Sequence, residues 1–438
     1  MYFLYDLFLL ILIIILLPFF LIKLLKGKYR EGLIQRFGFL PADIRKRLEG
    51  KKIIWVHAVS VGETVAASPL VKELKRQYPG HTILFSTVTD TGQEMARKIV
   101  EEADVYIYFP LDFSFIVRKV LNIVKPELII IMETELWPNF IRLANQKGIK
   151  IVYANGRISD HSFRTYRYLG PYLKDMLKKV EFFCMQSEQD ATRIISLGAD
   201  EKKVYNTGNT KLDQDYTELS PEVRDNYLRE FKIQDKDKVL VVGSTHDDEE
   251  EQFIDIYQEL KEECKDLLMI LAPRHIERIP DIEEKYQKAG INTIRRTEIE
   301  KRQGESVILL DTIGELGKIY SLADFVFVGG SLVANGGHNI LEPAAHGKLI
   351  FFGPYMFNFK ESTRILLDNK AAIQVKDKEE LIEKMRFFLS DLSLAEKYAN
   401  KARTVLEKNQ GATYRIINLL KKAQNWRCWN LSDNKFGK

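Results

Sequence analysis

From residue 53 onward the chain repeats a single unit: a short apolar run, a turn, and an amphipathic stretch about a dozen residues long. Runs at 53–56, 82–86, 105–108, 128–132, 151–153 and 182–185 form one set; runs at 239–242, 267–271, 292–294, 307–310, 325–328 and 349–352 form another. Strands buried on both faces read as nearly continuous apolar runs, and helix-length crossovers between them make their pairing parallel. The pattern therefore predicts an α/β fold with two doubly wound sheets. Residues 213–237, polar and interrupted by Pro221, separate the sets and read as a linker. A chain of 438 residues is long enough for two cores. The expectation is two Rossmann-like lobes facing a cleft, the first ending near Lys211, with a helical stretch at 381–426 packing back across both. Open α/β sheets bind ligands beyond the carboxyl ends of their strands, so chemistry should lie in the loops after the apolar runs.

Ahead of the first strand, residues 2–22 are apolar apart from Asp6 and the mild interruption of Pro18. As a helix the run is long enough to cross a hydrocarbon core of about 30 Å. It lacks the basic start and small-residue cleavage site of a signal peptide, so a retained membrane anchor is expected, spanning or inserted in one leaflet, with a buried hydrophobic hairpin as the alternative. Lys23, Lys26, Lys28, Arg30 and Arg36 follow, and cations beside a membrane segment favour the cytoplasmic side. With Arg45, Lys46, Arg47, Lys51 and Lys52 they would meet anionic headgroups, or act only as a solvated topology signal. A net charge of +4 gives no reason to propose nucleic acid as a partner. Cys184, Cys264 and Cys428 have neither disulfide-framework nor zinc-site spacing, which suits a reducing compartment.

The first apolar run leads into His57-Ala58-Val59-Ser60-Val61-Gly62-Glu63, where Gly62 permits a tight turn and Glu63 opens a helix. A general base needs such a place; a first-turn carboxylate also complements the helix dipole, which would lower its pKa. After 128–132 comes Glu133-Thr134-Glu135-Leu136-Trp137-Pro138-Asn139. Extended backbone would put Glu133 and Glu135 on one face, where repulsion raises one pKa; alternatively one of them caps the next helix and Trp137 is core. In the second half, Gly243-Ser244-Thr245-His246 and Ala272-Pro273-Arg274-His275 follow successive strands. Small residues there admit a phosphate and Arg274 supplies a charge-matched fork, unless it is a surface ion pair.

The richest segment is Gly329-Gly330-Ser331 with Asn335-Gly336-Gly337-His338-Asn339-Ile340-Leu341-Glu342-Pro343. Its glycines would expose backbone N–H groups at a helix N-terminus, which holds phosphate without a metal. Glu342 would reach ribose hydroxyls or form a capping box with Asn339. No P-loop, HExxH, strand-to-helix GxSxG or DxD metal motif occurs, and Asp247-Asp248 with Glu249, Glu250 and Glu251 reads as a dipole-favoured helix start.

Taken in order, HAVSVGE at 57–63, METELWPN at 132–139, GNTKLD at 208–213, APRH at 272–275 and GGHNILEP at 336–343 resemble the 3-deoxy-D-manno-octulosonic acid (Kdo) transferases over nearly the whole chain. The resemblance implies a GT-B glycosyltransferase with an anchor helix at 1–28 and an N-terminal lobe at 29–215 for the lipid A precursor. It further implies a C-terminal lobe at 216–405 for CMP-Kdo, and a returning helix and tail at 406–438. It implies Glu63 as general base, and Glu133 and Lys211 as transition-state stabilisers, with the division between Glu133 and Glu135 left open. A cation at Lys211 suits a donor sugar that carries its own carboxylate. Pro273, Arg274, His275, the Thr312-Ile313-Gly314 turn, Gly337, Asn339, Ile340, Leu341 and Glu342 match stretches that contact CMP. The implied enzyme is inverting and transfers Kdo from CMP-Kdo to lipid IVA in lipopolysaccharide inner-core biosynthesis. It would use no cofactor or metal, and would meet membrane lipids at the inner membrane with its lobes cytoplasmic. Another membrane-associated GT-B enzyme with a different nucleotide sugar is the competing reading.

Overall fold

The computed structural model describes residues 2–25, 32–214, 216 and 219–432, with side-chain surroundings for 2, 4–15 and the described residues of 32–423. The chain divides into two compact units, Met1–Gln214 with Asn409–Lys438, and Asp215–Lys408.

The first unit is built on a seven-stranded sheet. Its strands are β1 (Ile53–His57), β2 (Thr82–Thr87), β3 (Val105–Tyr108), β4 (Leu128–Met132), β5 (Lys150–Gly156), β6 (Phe182–Met185) and β7 (Val204–Asn206). They lie in the order β3-β2-β1-β4-β5-β6-β7, and every pair is parallel. The winding reverses between β1 and β4, whose register runs from Ile54↔Leu128 to His57↔Ile131. That register sets the loops after His57 and Met132 side by side at the topological switch point. One face of the sheet buries Trp55, Ile129 and Phe140; the other packs Val56 and Ile130 against Ile416 and Leu420 of the helix Ala412–Ser432. Asp213 fastens that helix, its carboxylate accepting from the Gly411 and Thr413 N–H groups, each at 2.6 Å.

The second unit repeats the plan with β8 (Lys238–Thr245), β9 (Leu267–Pro273), β10 (Thr293–Arg295), β11 (Val307–Leu309), β12 (Phe325–Val328), β13 (Leu349–Phe352) and β14 (Ile373–Gln374). The order β10-β11-β9-β8-β12-β13-β14 puts the switch point between β8 and β12. Each apolar run expected to be a strand is one. The short edge strands β7 and β14 were not expected, because neither is buried enough to need an apolar run. The polar stretch at 213–237 carries a helix, Pro221–Glu230, capped by Ser220.

The N-terminal helix runs Tyr2–Leu25. Among the described residues no helix is long and apolar enough to cross a membrane, so the expected spanning anchor has no support from the fold. The surroundings of Lys23 and the positions Lys26, Lys28 and Arg30 lie outside the described residues. Arg36, grouped with them by sequence, is not a membrane-facing cation. It is buried, with its guanidinium 4.5 Å from the Tyr108 ring centroid and 3.4 Å from Asp90.

Candidate active site

At the first unit's switch point the chain gathers carboxylates. Ser60 caps the helix Val61–Gln77, and Glu63 reaches back from its first turn, Oε2 accepting from the Val59 N–H at 2.7 Å and Oε1 from Ser60 Oγ at 3.2 Å. Burial pushes the Glu63 carboxyl up to about 8; the Val59 N–H opposes the rise, and the charges of Glu133 and Glu135 add to it. The lowering expected from the helix dipole is therefore outweighed by loss of water. A carboxyl that titrates there is matched to proton transfer near neutral pH.

Glu133 and Glu135 do come together, but not by the alternation of a strand. Extended backbone stops at Met132, and Glu133 takes a left-handed conformation with φ 51°, its N–H donating to Ala154 O at 2.9 Å. Such a conformation costs a non-glycine residue on the order of 1 kcal/mol and persists where the surroundings enforce it. Both side chains act on Glu63 electrostatically, and burial followed by Glu133's charge raises Glu135. Neither caps the next helix. Pro138–Gln146 is capped by Asp112, a residue with no motif to announce it, which accepts from the Asn139 N–H at 3.0 Å and the Phe140 N–H at 2.8 Å. Trp137 is partly buried, 4.9 Å from the Phe109 ring and 5.9 Å from His57. His57 is fully buried, and burial pushes it down to about 3, so its imidazole is a neutral part of the core.

Lys211 joins the group from the short turn Thr210–Asp213, its Nζ 3.3 Å from Glu133 Oε1. The turn is held by Asn155, a second left-handed residue (φ 56°), whose Oδ1 accepts from the Thr210 N–H at 2.9 Å. Thr210 Oγ1 in turn donates to Ala66 O at 2.7 Å. Glu63, Glu133 and Lys211 thus form one constellation, and Asn155 is a supporting residue that sequence reasoning missed.

The second unit corrects the reading of its glycine loop. Glu249 is fully buried, Oε1 accepting from the N–H groups of Ser331 and Leu332 at 2.9 Å each, and Oε2 from Gly330 at 2.6 Å and His246 at 3.1 Å. The backbone donors expected to await a phosphate at Gly330 and Ser331 are taken by this internal carboxylate. Glu249 does open the helix Glu249–Glu263, as its place in an acidic helix start implied, and it is also a strut between the loops that follow β8 and β12. Gly329 is required at the crossing, since a Cβ there would sit 2.6 Å from Ser244 O.

Around this strut stand the imidazoles of His246 and His338, their Nε2 atoms 2.9 Å apart and their rings stacked. His275 lies edge-on to His246 at 6.0 Å. Burial is the first cause lowering both His246 and His338, the latter to about 4, and Arg274's charge contributes to each. Arg274 follows Pro273 at the end of β9 and makes no side-chain hydrogen bond or ion pair among the described residues. The surface ion pair that sequence allowed for it is therefore absent among those residues, and its guanidinium is available to an anion. Thr312 is tied to Glu315, while Ile313 is exposed and Gly314 is left-handed (φ 87°). Glu342 lies in the short helix Leu341–Ala345 that follows Gly337, Asn339 and Ile340; burial raises its carboxyl, and Asn339 opposes the rise. Asn339 Oδ1 accepts from the Leu341 N–H at 3.1 Å. His246 and His338 lay inside the motifs singled out by sequence but were given no role of their own, and Glu249 was read only as part of a helix start. Among the described residues no group of three or more His, Cys, Asp or Glu could hold a metal ion.

Two parallel seven-stranded units, each with polar loops at its switch point, define a two-lobed Rossmann-like protein of the GT-B kind. The fold is shared with UDP-GlcNAc 2-epimerase from Neisseria meningitidis bound to UDP-GlcNAc, at a TM-score of 0.55 and 14% identity, over 85% of this chain and 100% of that one. At that identity the likeness is one of fold. Sequence goes further. Residues 31–214 match the family described as 3-Deoxy-D-manno-octulosonic-acid transferase (kdotransferase). The 3-deoxy-D-manno-octulosonic acid transferase of Haemophilus influenzae is 34% identical over 403 residues, 92% of this chain and 93% of its own. A bifunctional glycosyltransferase/methyltransferase of Fusobacterium nucleatum is 39% identical over 341 residues, 77% of this chain; the match spans about half of that longer relative, 52%. The chain belongs to the Kdo transferase family and is a glycosyltransferase.

Proposed function

We propose that the protein is an inverting glycosyltransferase that moves Kdo from CMP-Kdo to the lipid A precursor lipid IVA, in lipopolysaccharide inner-core biosynthesis. The observation that carries the reading is Glu63, a carboxyl raised by burial to about 8 at a switch point that also holds Glu133, Glu135 and Lys211. In this scheme Glu63 accepts the proton of an acceptor hydroxyl as its oxygen attacks the anomeric carbon. The bond to CMP breaks with its electron pair leaving on the phosphate, and attack from the opposite face inverts the configuration. Lys211 faces the sugar carboxylate, and Glu133 stabilises positive charge that develops at the anomeric centre.

Donor binding falls to Pro273, Arg274, His275, Thr312, Ile313, Gly314, Gly337, Asn339, Ile340, Leu341 and Glu342. The Arg274 guanidinium, without a side-chain partner among the described residues, supports this assignment, and Glu249's hold on the Gly330, Ser331 and Leu332 N–H groups leaves Arg274 a larger share of the phosphate charge. Membrane attachment through the N-terminal helix, with the body on the cytoplasmic side of the inner membrane, is supported by the way that helix inverts ordinary amphipathicity. Tyr2, Tyr5 and Asp6 turn inward while Leu4, Phe8, Ile11 and Ile15 are exposed.

The test is incubation with freshly generated CMP-Kdo and lipid IVA, products being weighed by mass spectrometry. Wild type should add Kdo and Glu63→Gln should not, although it still folds. A folded wild type that adds none rejects the substrate assignment.

A further inference from the structure

Tyr2, Tyr5 and Asp6 of the N-terminal helix converge on one place in the first unit. Asp6 Oδ1 accepts from the Ser114 N–H at 3.1 Å and from Asn139 Nδ2 at 2.7 Å, while Oδ2 accepts from Ser114 Oγ at 2.6 Å. Tyr5 hydrogen-bonds Asp112. Tyr2 donates to Asp175 at 2.9 Å, and the Arg142 guanidinium lies 4.5 Å from the Tyr2 ring centroid. A carboxylate among apolar residues is expensive unless hydrogen bonds compensate it. Three such bonds account for the only acid in that run.

Asn139, the residue Asp6 grips, is fully buried and completes the segment that begins at Glu133. Its other amide hydrogen goes to Asp112 O at 2.6 Å, and its main-chain N–H goes to the Asp112 carboxylate. The helix Pro138–Gln146 has no side-chain cap of its own at Trp137 and depends on this junction. The loop carrying Glu133 and Glu135 is therefore strung between two fixed points: the Glu133 N–H bonded to Ala154 O, and Asn139. The first point belongs to the sheet. The second includes a residue from an apolar helix 133 positions earlier in the chain.

We propose that Asp6 is a positioning residue that latches the N-terminal helix to the Glu133–Asn139 loop, so that the helix sets the geometry of Glu133 and Glu135 as well as contacting lipid. The proposal rests on the transferase reading only for its kinetic consequence. Removing Asp6 leaves one buried donor, an Asn139 amide hydrogen, and one half-buried donor, the Ser114 N–H, without the partner that fixes the loop.

The test measures Asp6→Ala, Asn139→Ala and the double variant with detergent-dispersed lipid IVA, beside Ile11→Asn on the outward face. Asp6→Ala should lower kcat on the order of 10- to 100-fold with little change in the acceptor KM, since displacement of a catalytic loop by about 1 Å has effects of that size. The double variant should be no slower than Asn139→Ala alone, as expected of residues acting as one unit. Ile11→Asn should bind vesicles more weakly and keep its kcat. An unchanged kcat in Asp6→Ala, additive effects in the double variant, or an equal loss in Ile11→Asn would overturn the latch while leaving the transferase reading intact. If wild type transfers no Kdo, amide hydrogen exchange at Glu133–Phe140 decides: faster exchange in Asp6→Ala supports the latch, and unchanged exchange rejects it.

Discussion

Glu63 and Glu249 occupy matching places in the two units. Each lies in the first turn of the helix that follows the first strand of its sheet, beside the switch point. Glu63 accepts one backbone N–H and one hydroxyl, and burial with two carboxylate neighbours raises it to about 8. Glu249 accepts four backbone N–H groups, which fill the roughly four lone-pair sites of a carboxylate and leave none for a substrate. In the proposed scheme the first carboxyl takes a proton; the second holds two loops together. Position in the fold does not distinguish them. The number of donors aimed at each does.

The sharpest way to break this comparison is to remove each charge in turn. Glu63→Gln should slow transfer by about 10²- to 10⁴-fold, the range for loss of a general base, without loss of fold. A loss below tenfold in initial rates would remove Glu63 from the chemistry. Glu249→Gln should instead act on stability, by about 3 kcal/mol in urea unfolding, because the amide sets an NH₂ against backbone donors that need acceptors. A cost under about 1 kcal/mol would mean the loops do not depend on that strut.

The pH dependence sharpens the contrast. The base acts deprotonated, so kcat/KM should climb about tenfold per pH unit toward an inflection near 8, with Glu63 as its source. Glu63's folded pKa lies above its ordinary carboxylate value, so the folded state holds the proton more tightly. Its contribution to stability is present below that ordinary value and is lost as pH rises through about 8. The midpoint of thermal unfolding of wild type should therefore fall over that window by more than that of Glu63→Gln; parallel curves would reject the assignment. The smallest effect is expected at Asp213, where Asp213→Asn should cost about 1 kcal/mol as a weakened cap. Hydrogen exchange should quicken at the start of Ala412–Ser432 while the transfer rate changes little.

Much of the fold was legible because its signals are local. An apolar run buried on both faces announces itself, and β1, β4, β8 and β12 each ended at a motif. The edge strands β7 and β14 were not legible: they are only three and two residues long and partly exposed, and carry no apolar run of the kind that announced the edge strand β3. The site was readable as a set of strand-end residues but not as a set of charge states. The alternation argument for Glu133 and Glu135 failed because the chain turns left-handed at Glu133, a choice enforced by contacts with β5. The dipole argument for Glu63 gave the wrong sign because it could not weigh the loss of water. Glu249 looked like one more acid in an acidic run, since its partners Gly330, Ser331 and Leu332 lie 81, 82 and 83 residues away.

Periodicity and motif order are written along the chain, and they suffice for two parallel sheets, the loops that carry polar residues and the family to which the chain belongs. Folding alone raised the Glu63 carboxyl by burial, tied Glu249 to four backbone N–H groups and gave Asp6 its partners inside an apolar helix. Desolvation and hydrogen-bond satisfaction depend on groups that folding brings from far away.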